Sequence, residues 1–97
     1  MRLSESDDIQ NAALSIEETR YRLLKFKTRL RHSMIKLPEN NEEELFIITF
    51  VALDQILTEA RFRCIAHDIT ESHKYISTAR SMLTRAEKKL DHLLQKQ

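Results

Sequence analysis

The chain contains no glycine in 97 residues, and its one proline is Pro38. At an average usage of about 7%, roughly seven glycines would be expected in this length. Glycine enters the left-handed backbone region without steric cost and lets a backbone approach a phosphate closely. A chain without it cannot write the glycine-rich phosphate loop, the dinucleotide-binding fingerprint or the glycine-flanked nucleophile elbow. It also lacks the residue that two-residue hairpins prefer at positive φ. The common nucleotide-dependent and hydrolase chemistries therefore lose their signature, and tight two-residue hairpins are disfavoured.

The apolar pattern agrees. Ile9, Ala12, Ile16, Thr19, Leu23, Phe26, Leu30, Ser33 and Leu37 alternate steps of three and four, the spacing of one helical stripe. They predict a first helix over about 4–36. Ser15-Ile16-Glu17-Glu18 resembles a capping box, so the helix is expected to be firm from about 15 to 36, with the first dozen residues either a separate turn or open to fraying. Leu37-Pro38-Glu39-Asn40-Asn41 marks the connection to a second helix over about 41–67, whose acidic start, Glu42-Glu43-Glu44, suits the positive end of a helix dipole. The run Leu45 to Leu53 has the β-branched and aromatic content of a buried strand. Ile56, Leu57, Ala60 and Cys64 continue it at helical spacing, and no second strand is available for pairing, so a helix is expected.

A second clean seam, Ile76, Ala79, Leu83, Ala86, Leu90 and Leu93, predicts a third helix over about 72–96. Its register extrapolates backward through Ser72, Ile69, Ile65 and Phe62 without a glycine or proline. Asp68, Thr70 and Ser72 offer caps, so a short break is expected between 67 and 72. The alternative is one helix of about 55 residues, about 80 Å long, which would have to dimerise to bury its seam. The expected fold is all-α: an up-down-up three-helix bundle, a helical hairpin about Pro38 plus a C-terminal helix, with coiled-coil-like packing in a single domain over 1–97.

Charge falls in blocks: −4 over residues 1–19, +7 over 20–36, −6 over 37–59 and +4 over 60–97. The basic block, which includes Arg20, Arg22, Lys25, Lys27, Arg29 and Arg31, is a candidate anion-binding stripe. A helical hairpin about Pro38 would lay it beside Glu42, Glu43, Glu44, Asp54 and Glu59, and would set the acidic N-terminal segment beside Arg61 and Arg63. Such cross-neutralisation favours an antiparallel hairpin and weakens the case for a free nucleic-acid face. Only Tyr21 and Phe26 lie in or beside the block, whereas single-strand readers usually interleave several aromatics.

Candidate chemistry is sparse. Cys64, His67 and Glu71 share a helical face, yet no second cysteine or histidine cluster accompanies them, and no Glu-x-x-His pair is present for a bundle di-metal site. Ser72 and His73 are sequence neighbours that a helix points apart. No enzyme, cofactor, metal site or small-molecule substrate is expected. The net charge of +1, the single cysteine and the absence of an apolar segment in Met1 to Asp8 suggest a reducing, cytoplasmic setting, and the longest apolar run is too short for a bilayer.

What remains is the apolar density of Leu45 to Leu53, which exceeds the faces a middle helix can bury in a three-helix bundle. Phe46, Ile47, Phe50 and Val51 are the candidate partner-binding residues. The expected function is a small protein-interaction module, an adaptor, chaperone-like binder or assembly subunit, in a homo- or hetero-oligomer. The alternative is a nucleic-acid-associated helical protein using residues 20–36.

Overall fold

A computed structural model describes residues 3–33 and 42–95, with side chains from 7–33 and 44–95. It is all-α, with α1 over Leu3–Ser33, α2 over Glu42–Ile65 and α3 over Ile69–Gln95. The helices pack side by side into a rod of 57 × 17 × 16 Å. The connection at Pro38 and the expected helix ends at 34–36, 41 and 96 lie outside the described residues.

Side-chain pairs fix the topology. Phe26 of α1 meets both Phe46 and Phe50 of α2 edge-on, with ring centroids 5.8 and 5.6 Å apart. At the other end of the same pair, the Cys64 thiol donates to the Ile9 carbonyl at 3.6 Å. High numbers on α1 therefore meet low numbers on α2, and the two run antiparallel. α3 turns back along α2, and its Arg80 reaches Glu18 while Glu87 receives Arg22, so α1 and α3 run parallel. The chain is an up-down-up three-helix bundle.

The break between α2 and α3 uses a glycine-type turn without a glycine. His67 sits at φ 63°, in the left-handed region. The Asp68 amide donates to the Arg63 carbonyl at 2.8 Å and the His67 amide donates to the Cys64 carbonyl at 3.1 Å. This pair of bonds, six-to-one outside five-to-two, is the Schellman motif that satisfies the last carbonyls of a helix. Asp68 then caps α3, its carboxylate accepting from the Glu71 amide at 3.4 Å. α3 consequently starts three residues earlier than the expected 72, and α2 stops at Ile65 rather than 67. The single 55-residue helix does not form.

The core follows the two seams. Leu23, Phe26, Leu30, Phe46, Leu53, Leu57, Leu83 and Leu90, with Ala79 and Ala86, form one core cluster, while Ala12, Ile16, Ala60, Cys64 and Ile76 form a second nearer the His67 turn. Next to Ala60 in this second set, Ser72 is fully buried, and its hydroxyl donates to the Ala60 carbonyl at 2.8 Å. Buried Thr19 is satisfied similarly, donating to the Ser15 carbonyl at 2.7 Å and accepting from Arg80 Nε at 3.2 Å. Both obey the rule that a buried hydroxyl must keep a partner.

Candidate interaction surface

α2 is apolar on nearly every side, and the bundle covers only part of it. Leu53, Leu57, Ala60 and Cys64 face inward and are buried. At 3.6 residues per turn, Ile47, Ile48, Val51, Phe62 and Ile65 fall within an arc of about 100° on the side away from Leu53. All five are exposed, from 50% for Ile47 to 66% for Ile65. The residues between them on the outermost line are Gln55 and Thr58, also exposed and uncharged. Ile48, Val51, Gln55, Thr58, Phe62 and Ile65 thus form a third seam in three-four steps, with no charge on it and nothing packed against it among the described residues.

This surface continues toward α1. An open groove between α1 and α2 is lined by Tyr21, Leu24, Lys27 and Asp54, and Tyr21 and Leu24 are themselves exposed. Lys27 crosses the groove to Asp54 at 3.5 Å and also lies over the Phe50 ring, 5.5 Å from its centroid. α1 and α2 make the sparsest of the three helix-helix contacts, so the groove is the least closed side of the rod.

Of the four residues expected to bind a partner, the structure places two on this surface. Ile47 and Val51 are exposed there. Phe46 is buried and Phe50 half-buried, both engaged by Phe26, so the bundle consumes them itself. Phe62 and Ile65 fall on the backward extrapolation of the α3 seam only in the alternative of one continuous helix. The Schellman turn resets the helical phase at His67, and they lie on the outer side of α2 instead. Their three-four spacing to Ile48 and Val51 is legible in the sequence, since all four lie on α2.

The basic block does not form one stripe. Arg22 donates from Nε to Glu87 Oε2 at 3.1 Å and from its terminal nitrogen to Glu87 Oε1 at 2.5 Å and Thr84 Oγ1 at 2.9 Å. Arg29 pairs with Asp91 and Lys27 with Asp54. Lys25 lies over the Tyr21 ring, 5.3 Å from its centroid. Arg20 and Arg31 are exposed and unpaired among the described residues. The two arginine pairs point toward α3, whereas Arg20, Lys27 and Arg31 lie on the α2 side of α1 by helical spacing. Among the described side chains, the acids that pair with Arg22 and Arg29 come from α3, whereas the hairpin arrangement suggests the start of α2, whose Glu42 and Glu43 side chains lie outside the described residues. Among the described residues, Asp54 is the one α2 acid paired with this block. Glu59 instead accepts from Arg63 Nε at 3.0 Å within α2, and this hydrogen bond raises the Arg63 pKa above its ordinary value.

Among the described residues, nothing resembling an acid-base or ligand constellation gathers elsewhere. Cys64 is buried against the Ile9 carbonyl, His67 is an exposed turn residue and Glu71 pairs with Lys74 at 3.1 Å. No group of three or more potential metal ligands occurs among the described residues. No helix among them is long and apolar enough to cross a membrane. No family model matches the chain, and neither a curated protein nor a solved structure matches it.

Proposed function

We propose that the protein is a non-enzymatic interaction module that docks through the outer face of α2. The observation that carries this reading is the uncharged seam from Ile48 to Ile65, about 26 Å long at 1.5 Å per residue. Single exposed hydrophobic residues are ordinary on a protein surface, whereas a contiguous apolar patch marks a contact site. Here five large apolar side chains share one helix face, and Tyr21 and Leu24 extend the patch across the neighbouring groove. A helix presenting anchors in three-four steps is a recurring mode of recognition between proteins.

The arrangement of the basic block supports this reading over nucleic-acid binding. Arg22, Lys27 and Arg29 already hold carboxylates, and the α1 cations are divided between two sides of the helix.

Val51→Glu combined with Phe62→Glu tests the proposal, since both positions are exposed and the bundle does not need them. The double variant is expected to keep the wild-type helicity and melting temperature while losing the association, with itself or with a stoichiometric partner, that the wild type shows. A wild type that is monomeric and partner-free, with solubility identical to that of the double variant, contradicts it.

A further inference from the structure

We infer that the occupant of the α2 face is a second copy of this chain, docked antiparallel, α2 against α2, about a two-fold axis between Gln55 and Thr58. This rests on the interaction reading above and names the partner. The seam is complementary to its own reverse. Antiparallel pairing about that midpoint sets Ile48 opposite Ile65 of the second copy, Val51 opposite Phe62 and Gln55 opposite Thr58. The smaller valine meets the larger phenylalanine twice, and the polar pair meets at the centre, where an amide can bond a hydroxyl. A polar position within an apolar seam is a known means of fixing register.

The flanks carry the same symmetry. A two-fold of this kind brings like flanks together, so the side of α2 that bears Asp54 and Arg61 meets the same side of the second α2. Asp54 then lies beside Arg61 of the other copy, and Arg61 beside its Asp54, giving two opposite-charge contacts from one chain's pattern. In the single chain Arg61 is exposed and has no partner among the described residues, and Asp54 holds only Lys27, at 3.5 Å and largely in solvent. A parallel two-fold would instead bring unlike flanks together and part Asp54 from Arg61 of the second copy, so the two opposite-charge contacts belong to the antiparallel arrangement, and complementary charge of this kind fixes which arrangement forms.

The charge pairs allow a test that separates this docking from other modes of association. Self-association is measured by sedimentation equilibrium from about 1 µM to about 100 µM, the range in which a moderate interface is half-populated. The wild type is expected to dimerise. Asp54→Arg and Arg61→Asp alone should each weaken the dimer about tenfold, because each turns both flank contacts repulsive. An equimolar mixture of the two single variants should recover the wild-type midpoint, since both contacts become opposite-charge again, and so should the double variant. Lys27→Ala frees Asp54 from its intrachain pair and should not weaken the dimer, and circular dichroism confirms that each variant is folded.

A wild type that remains monomeric at the top concentration overturns self-docking. If that monomer nevertheless holds a foreign protein that Val51→Glu releases, the interaction reading survives with a different occupant; if it holds none, both fail. A dimer that Val51→Glu abolishes but that neither charge reversal weakens and the mixture does not rescue overturns the antiparallel arrangement alone.

Discussion

Arg22 of α1 forks onto Glu87 of α3 across 65 residues of sequence, with Thr84 Oγ1 receiving a third bond from the same guanidinium. The pair is partly shielded, with side chains 37% and 30% exposed. It sets the axial register of two parallel helices that no direct loop connects. Exposed ion pairs are worth about 0–1 kcal/mol, and the bidentate geometry puts this one toward the upper end. A double-mutant cycle of Arg22→Ala and Glu87→Ala is expected to give a coupling of about 1 kcal/mol that shrinks as salt is added. A coupling indistinguishable from zero at low salt would remove this pair as a register element.

His67 occupies a left-handed position that glycine usually fills. The steric cost for an L-residue there is about 1–2 kcal/mol, less for residues with a polar side chain close to the backbone. His67→Gly is expected to raise stability by about 0.5–1 kcal/mol even after the entropy that glycine adds to the unfolded chain. His67→Val should lower it by about 1–2 kcal/mol, because a β-branched residue tolerates this region worst. Chemical denaturation of the three proteins measures both differences. A stabilising valine would mean that the Schellman turn does not form.

Ser72 of α3 and Ala60 of α2 are both fully buried and are joined by a hydrogen bond. Ser72→Ala removes one buried hydrogen bond but leaves the Ala60 carbonyl in its helical ladder, so a loss of about 1 kcal/mol is expected in thermal or denaturant unfolding. Ala60→Leu forces a side chain into a site with no exposed surface and should cost about 1–3 kcal/mol or more. If Ala60→Leu were neutral, the helices would be farther apart there than the structure places them.

The parts of the fold that were legible in the sequence are those governed by local periodicity. Leu23, Phe26 and Leu30 on α1, and Ile76, Leu83 and Leu90 on α3, are buried where three-four spacing places them, because a helix must turn its apolar stripe inward. Asp68 was among the residues that could cap α3, and it does so. Features that depend on which helices become neighbours were harder to read. Arg22 and Arg29 were matched to α2 because a hairpin connects those helices, whereas in a three-helix bundle α3 is just as near and its Glu87 and Asp91 lie at the right height. Phe46 and Val51 are equally apolar in sequence; only packing against Phe26 separates the core residue from the surface one. The exposed positions of Phe62 and Ile65 depended on the phase break at His67, and the absence of glycine gave that break its least expected form.

Concentration-dependent methyl NMR tests the account most directly, because it locates the contact as well as detecting it. With Ile and Val methyl groups labelled, raising the protein from about 1 µM to about 100 µM should shift and broaden the signals of Ile47, Ile48, Val51 and Ile65. The signals of buried Ile16 and Ile76 should stay fixed. Shifts confined to residues away from α2, or none over the whole range, would contradict the claim that the outer face of α2 is where this protein associates with its own kind.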